Sequence, residues 1–353
     1  MNAWPSAPLD QAQVIEMVRE LGRGANTSRP LSREQSRALF AAILADEVDD
    51  LHLGALLIAY RIKGEEAEEL AGMLEAAQAT LSLLPVPAGA PPPVVIASYN
   101  GARRLPNLVP LLALSLARRG LPVLVHGDAA DSYGRISSAS VFAALGVDEC
   151  ATLDETVRVL REGRDAGTAW PGARLAFVPT EVLSPPLARM LALRERIGLR
   201  NSAHTIVKLL DPFAGLSLRL VNYTHPPYRD ALARLFTEIL PPAAPGVLLA
   251  RGCEGEAAAD PRRRVAIEWL VDGACDVVQA AMHSGDSPGV PLPGADAAVT
   301  AGWTREVLAA NAAMPDPLQR QIDTVAAICS ATPAAKSGAM HHPFPITVPE
   351  CLP

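Results

Sequence analysis

Lysine is nearly missing from this 353-residue chain: Lys63, Lys208 and Lys336 stand against 28 arginines. Cationic recognition therefore falls to guanidinium groups, whose planar fork of donors matches phosphate and carboxylate, although an arginine-favouring genome would leave the same imbalance. Aromatic residues are also few, at 4%, which limits the platforms on which bases could stack. No run of 18 or more apolar residues occurs, so a membrane-spanning helix is excluded. The chain has no basic start followed by an apolar core, so no signal peptide is expected and a cytoplasmic location is the default. Its five cysteines, Cys150, Cys253, Cys275, Cys329 and Cys351, form no Cys-x-x-Cys pair. They read as free thiols rather than a zinc or redox site. What the chain does have is core material: 49% of residues are apolar and 20% charged, which excludes disorder and leaves room for two domains.

Residues 10–78 read as helices. Ser32 and Gln35 make a capping box ahead of Leu39, Phe40, Ile43 and Leu44, which recur at helical spacing. A second apolar run covers 51–62, and Gly64 is expected to open an acidic helix over 65–79 whose exposed face carries the local charge. Pro85, Pro87 and Pro91 to Pro93 then form a stiff connector, because proline supplies no backbone donor and biases its predecessor away from helix. Beyond it, short β-rich runs at 94–98, 122–126, 175–178, 218–223 and 246–250 alternate with helices near 107–119, 138–145 and 226–240. This alternation argues for an α/β domain with a largely parallel sheet. The expected organisation is a helical domain over 1–83, a hinge over 84–93, an α/β domain over 94–183 and 213–331, and an irregular tail over 332–353. The helical interruption at 184–212 is expected to pack back onto the first domain.

The net charge of −7 is unevenly distributed. Residues 46–75 hold nine acids against Arg61 and Lys63, which accounts for the whole excess. Two other stretches are basic. Residues 97–127 carry Arg103, Arg104, Arg118 and Arg119 with no acid, and 185–208 carry Arg189, Arg194, Arg196, Arg200 and Lys208 against Glu195 alone. A third cluster, Arg251 with Arg262, Arg263 and Arg264, is partly offset by Glu254, Glu256 and Asp260. Local patches of this kind matter to polyanion recognition as much as the total charge does, and each is equally compatible with a solvated helix face.

Four ordered segments carry a family resemblance: Ser98-Tyr99-Asn100-Gly101-Ala102-Arg103, Val125-His126-Gly127, Arg200-Asn201-Ser202-Ala203-His204-Thr205 and Thr224-His225-Pro226. Together they resemble anthranilate phosphoribosyltransferase and its relatives among the family-3 glycosyltransferases, most nearly the YbiB-type paralogues. The resemblance implies a small helical domain joined by a hinge to a larger α/β domain, a homodimer formed through the helices, and nucleic-acid binding. Catalytic members of the family cradle pyrophosphate in a Gly-Thr-Gly-Gly-Asp loop, because bare backbone N–H groups approach phosphate closely only where side chains are absent. In this chain Gly101 alone remains of that loop, followed by Arg103 and Arg104. The family's Asn-x-Ser-Thr falls on Asn107-Leu108-Val109-Pro110, and its Lys-His-Gly-Asn on Val125-His126-Gly127-Asp128. Its metal-binding Gly-Leu-Asp-Glu falls on Gly255-Glu256-Ala257-Ala258, with Glu254 and Glu256 expected by their spacing to face elsewhere. Losing both metal and cradle removes several kcal/mol of transition-state stabilisation, about a thousandfold or more in rate.

Two functions follow from this pattern. The first is largely sequence-independent nucleic-acid binding, DNA in particular, by a non-catalytic protein that needs no cofactor. Its phosphate grip would come from Arg103, Arg104, Arg118, Arg119, Arg189, Arg194, Arg196, Arg200, Lys208 and Arg251, flanked by Arg262 to Arg264. Tyr99, Tyr133 and Tyr223 are the candidate stacking rings. The second is an active glycosyltransferase using phosphoribosyl pyrophosphate with Mg²⁺, or a nucleoside with phosphate. Asn100, Gly101, Arg103, Arg104, Asn107, His126, Gly127, Asn201 and His204 are the ligand-binding candidates under either reading.

Overall fold

The computed structural model describes residues 9–24, 27–129, 134–282 and 289–332. Tyr133, Cys351 and all of the tail beyond Thr332 lie outside the described residues. The chain opens with four helices, α1 (Gln11–Leu21), α2 (Arg33–Leu44), α3 (Asp50–Lys63) and α4 (Ala67–Gln78). Ser32 and Gln35 form the capping box at the start of α2. There follow β1 (Val94–Ser98), α5 (Val109–Arg118), β2 (Val123–Gly127), α6 (Ser138–Leu145), α7 (Leu153–Glu162) and β3 (Leu175–Pro179). Next come α8 (Thr180–Leu183), α9 (Pro185–Ile197), α10 (Ala203–Ile206), β4 (Leu218–Tyr223) and α11 (Pro226–Arg234), which runs on as a π-helical turn, Leu235–Ile239. The chain closes with β5 (Val247–Arg251), β6 (Ile267–Val271), β7 (Ala274–Gln279), α12 (Ala297–Leu308) and α13 (Asp316–Ala331).

The seven strands form one sheet in the order β3-β2-β1-β4-β5-β6-β7. The first five are parallel, and β6 and β7 add an antiparallel edge. Successive strand residues point to opposite faces, and the two faces bury different partners. Val95, Ala97, Leu124, Val178 and Val221 share a core with the N-terminal helices and α9 and α10, whereas Val94, Ile96, Val123, Val125 and Leu220 pack against α5, α6, α12 and α13. Gln78, at the end of α4, exchanges hydrogen bonds with the backbone of Asp211. Leu84 pairs with Phe213 as an isolated parallel bridge. The strand order reverses between β1 and β4, and a parallel sheet opens a ligand crevice at such a point, outside the carboxyl ends of its strands.

The acidic helix differs from the expectation. Gly64 caps the end of α3 at φ +81°, and the next helix starts only at Ala67. Glu69 does not sit on an exposed face. Its carboxylate is fully buried, accepts from the backbone N–H of Leu31 and Glu66, and pairs with Lys63. The chain thus spends one of its three lysines on neutralising an internal acid that ties α3, α4 and the start of α2 together. Glu69→Ala strands a buried cation and two donors, and it is expected to destabilise the fold by about 3–5 kcal/mol, read as a lower urea midpoint with an unchanged m-value.

Candidate functional site

The crevice floor is built from the loop after β1 and the turn after β5. Gly101 takes φ +63°, a left-handed conformation. A Cβ there would lie 3.0 Å from Arg135 Cβ and 3.1 Å from Ile136 O, so the one glycine kept in the loop is required for its path. Along this loop the backbone N–H groups of Asn100 and Gly101 donate to Glu256 Oε1 at 2.7 and 2.6 Å. Those of Arg103, Arg104 and Leu105 donate to the Glu254 carboxylate at 2.8 to 3.3 Å. The expectation that Glu254 and Glu256 face elsewhere is therefore wrong. Glu254 and Gly255 both take positive φ, and the resulting tight turn brings both carboxylates onto the loop. Burial, the largest influence, raises the Glu256 carboxyl above the usual carboxylate range, against the pull of Ser98, Lys208 and the two amides.

Three of the other candidates serve the scaffold. His126 is fully buried with Nδ1 2.8 Å from the Tyr99 hydroxyl, lines neither cavity of the crevice, and is pushed down to about 3 by burial. At Gly127 a Cβ would lie 2.1 Å from Ser98 O, so glycine there permits strand contact rather than ligand approach. Asn107 Nδ2 donates to Ile136 O and Ser138 Oγ while its Oδ1 accepts from Val109 N, which makes it the organiser of the turn into α5. Asn201 bonds Met190 O and Ala203 N, yet it also borders the crevice.

Asn100 and His204 divide the crevice into two cavities of opposite character. One, of about 270 Å³, is lined by Asp128, Glu181 and Glu195 with Arg194. The other, of about 230 Å³, is lined by Arg61, Arg200, Lys208 and His225, with Glu65 as its carboxylate and Tyr223 and Tyr228 as rings. Glu65 already accepts from Ser202 and Tyr228. Burial lowers Arg200 to about 10, helped by Arg194 and Arg135, and its Nη2 is buried with no hydrogen-bond partner among the described residues. Lys208 is lowered to about 8, chiefly by burial, with Glu256 opposing and Arg200 and Arg135 adding to the shift. His204 falls to about 3 for the same main reason, beside Arg200 and Arg194. With Arg200 Nη2 lacking a partner among the described residues and Lys208 beside it, this cavity is positive in character.

The remaining arginines do not converge on this cavity. Arg103 and Arg104 are exposed just beyond the floor loop and Arg251 is exposed at the end of β5, all on the carboxyl edge of the sheet. Arg118 and Arg119 end α5 at the opposite edge, where Arg118 bonds Leu308 O and Arg119 pairs with Asp323. Arg189 donates to Leu44 O and Arg196 pairs with Asp50. Arg262 and Arg263 share Asp260, and Arg264 pairs with Asp316. Arg61, Arg135 and His225 were not among the site residues read from the sequence, because Arg61 lies in the acidic stretch and only the fold brings the three near Arg200 and Lys208.

Residues for a divalent cation do not fit. Ala257 and Ala258, on which the resemblance places the family's metal carboxylates, are buried, and no group of three metal-capable side chains occurs among the described residues. Nor is any helix of the described residues long and apolar enough to cross a membrane.

Comparison with known proteins agrees with this geometry. Residues 15–80 match the helical bundle domain of the glycosyl transferase family. The fold is similar to anthranilate phosphoribosyltransferase (TrpD) from Thermus thermophilus, with a TM-score of 0.67 at 21% identity over 91% of this chain and 90% of that one. It is equally similar to the enzyme from Saccharomyces cerevisiae solved with PRPP and Mg, at 0.66 and 14% identity over the same shares. Over 211 residues, 60% of this chain and 58% of the relative, it is 28% identical to anthranilate phosphoribosyltransferase of Methylorubrum extorquens. The molecule is thus a TrpD-like protein of the family-3 glycosyltransferase fold. Within that class, it is 39% identical over 308 residues, 87% of this chain and 91% of the relative, to the uncharacterized protein YbiB of Escherichia coli. The chain belongs to the YbiB family.

The lowered histidines make stability depend on pH. Between the unfolded value of 6.5 and the folded value of about 3, His126 takes up a proton only when the chain unfolds, so its contribution is intact above 6.5 and lost as pH falls. At pH 5 that loss is about 2 kcal/mol. The raised acids Glu69, Asp211 and Glu256 act in the opposite sense, so the difference between proteins isolates the histidine. Urea unfolding at pH 7 and pH 5 is expected to show a fall in the native protein larger by about 2 kcal/mol than in His126→Gln.

Proposed function

We propose that this protein is a non-catalytic, cytoplasmic nucleic-acid-binding protein, with DNA as its ligand, that grips phosphates with little regard for sequence. The observation that carries this reading is the second cavity. Arg61, Arg200 and Lys208 line it against a single carboxylate that is already engaged, and Arg200 Nη2 has no hydrogen-bond partner among the described residues. Exposed Arg103, Arg104 and Arg251 extend the positive charge along the same edge of the sheet. Tyr223 and Tyr228 supply ring faces beside it. The acidic cavity, with Asp128, Glu181 and Glu195, repels a polyanion and steers it to the basic side. Ribosyl transfer is disfavoured by the two alanines at the metal positions and by the carboxylates that already engage the amides of the floor loop.

Labelled oligonucleotides followed by fluorescence anisotropy test the reading. Binding is expected to weaken by about 10³-fold or more from 50 to 200 mM salt. Replacing Arg200 and Lys208 together by Ala is expected to lower affinity for all sequences by about tenfold or more. Absence of binding at low salt, with phosphoribosyl pyrophosphate consumed in the presence of Mg²⁺, would establish the enzyme instead.

The second proposed partner is another copy of the chain. Leu51, Ile58 and Ile62 lie at spacings of seven and four on α3 and are 79%, 37% and 67% exposed, an apolar stripe on a helix that solvent alone does not favour. Sedimentation is expected to show a dimer, and Leu51→Glu with Ile62→Glu a monomer of unchanged circular dichroism.

A further inference from the structure

The basic cavity is too small, and too unevenly flanked, to carry a nucleic-acid strand through it. At about 230 Å³ it lies below the roughly 300–1,000 Å³ of pockets that enclose a whole drug-sized ligand. It admits a head group rather than a length of chain. Its partition from the acidic cavity is fixed in place. Asn100 borders both cavities, its Nδ2 donates to Gly255 O, and a Cβ at Gly255 would lie 1.9 Å from that nitrogen. Beyond the partition stand Asp128, Glu181 and Glu195. A polyanion that entered the basic side and continued across would set its next phosphate against carboxylates, so the favourable arrangement is a strand that enters and stops.

Charge and reach select the same head group. Among the described residues that line the cavity, Arg61, Arg200 and Lys208 face one carboxylate, Glu65, which already accepts from Ser202 and Tyr228. Arginine and lysine thus exceed carboxylate by two. Glu256 and Arg135, which act on Lys208 from outside the lining, are opposite in sign. A phosphodiester brings one negative charge, whereas a phosphate monoester brings about −1.5 to −2 with three acceptor oxygens. The donor that lacks a partner is recessed: Arg200 Nη2 is buried, with no hydrogen-bond partner among the described residues. A diester phosphate carries a sugar on each side and is held off from such a group. An end phosphate, with one side free, reaches it.

We propose that the basic cavity receives the terminal phosphate monoester of a nucleic-acid strand, and that the protein therefore prefers strand ends to internal sites. Arg200 and Lys208 hold the non-bridging oxygens, exposed Arg61 balances the remaining charge, and Tyr223 and Tyr228 offer ring faces to the last nucleoside. Such end selection rests on the nucleic-acid reading above and adds a polarity to it.

The test uses the full chain and one short single strand, labelled internally and prepared with a 5′-phosphate, with a 3′-phosphate, or with hydroxyls at both ends. Anisotropy at one fixed salt concentration is expected to show at least one phosphorylated form binding about tenfold or more tightly than the hydroxyl form. Which form does so identifies the end. Arg200→Gln is expected to bring the phosphorylated strands down to the hydroxyl level. Arg61→Gln, at an exposed position whose loss leaves the fold intact, is expected to shrink the preference by about threefold, the worth of an exposed ion pair. If circular dichroism shows Arg200→Gln to be unfolded, Arg61→Gln carries the comparison. Equal affinity for all three forms, or a preference untouched in the folded variants, would overturn end selection and leave the nucleic-acid reading standing. Absence of binding by every form would remove both.

Discussion

The crevice of this protein is organised by carboxylates bonded to backbone amides. A loop that turns its N–H groups inward needs acceptors to meet them, and here most of those acceptors are carboxylates of the chain itself. Placing them requires a turn of positive φ at Glu254 and Gly255, and that turn in turn anchors Asn100 and Asn222 through one carbonyl. The ends of β1, β4 and β5 are thereby joined into a single rigid floor. With the floor charge settled internally, the cations of α10 and its flanks face the basic cavity without a full complement of partners, and the acids near α8 and α9 face the other.

The fold carries no instruction about which of these arrangements it hosts. The same fold is found in anthranilate phosphoribosyltransferases. Ala257 and Ala258 are too short and too apolar to hold a hard cation. Lys208 and Arg200 together put two cations into a partly buried space, at the cost in proton affinity that their lowered pKa values express.

Much of the architecture was legible in the sequence, because alternation of apolar runs reports which faces are covered. Residues 138–145 and 218–223 form the helix and strand that their patterns suggest. The β6–β7 hairpin went unread even though Asp272 and Gly273, both at positive φ, mark its turn. Its outer strand is exposed at every residue but Gln279 and so lacks the alternation that betrays a strand. In the site, Arg200, Lys208 and His204 were legible because they cluster locally. Glu254 and Glu256 were not, because their direction is set by contacts 150 residues away and by a left-handed backbone that composition does not announce. Charge clustering misled in the other direction at Arg119 and Arg264, whose acids, Asp323 and Asp316, come from a helix far along the chain.

The snug seating of Gly255 against Asn100 has a corollary for substitution. Carboxylates placed at 257 and 258 alone would leave the amides of Asn100 and Gly101 capped by Glu256, and a glycine-rich loop alone would keep its backbone N–H groups on the same carboxylate. Single replacements therefore leave the loop's donors engaged, and only combined changes would free them. The floor is held by the combination of these contacts rather than by any one residue.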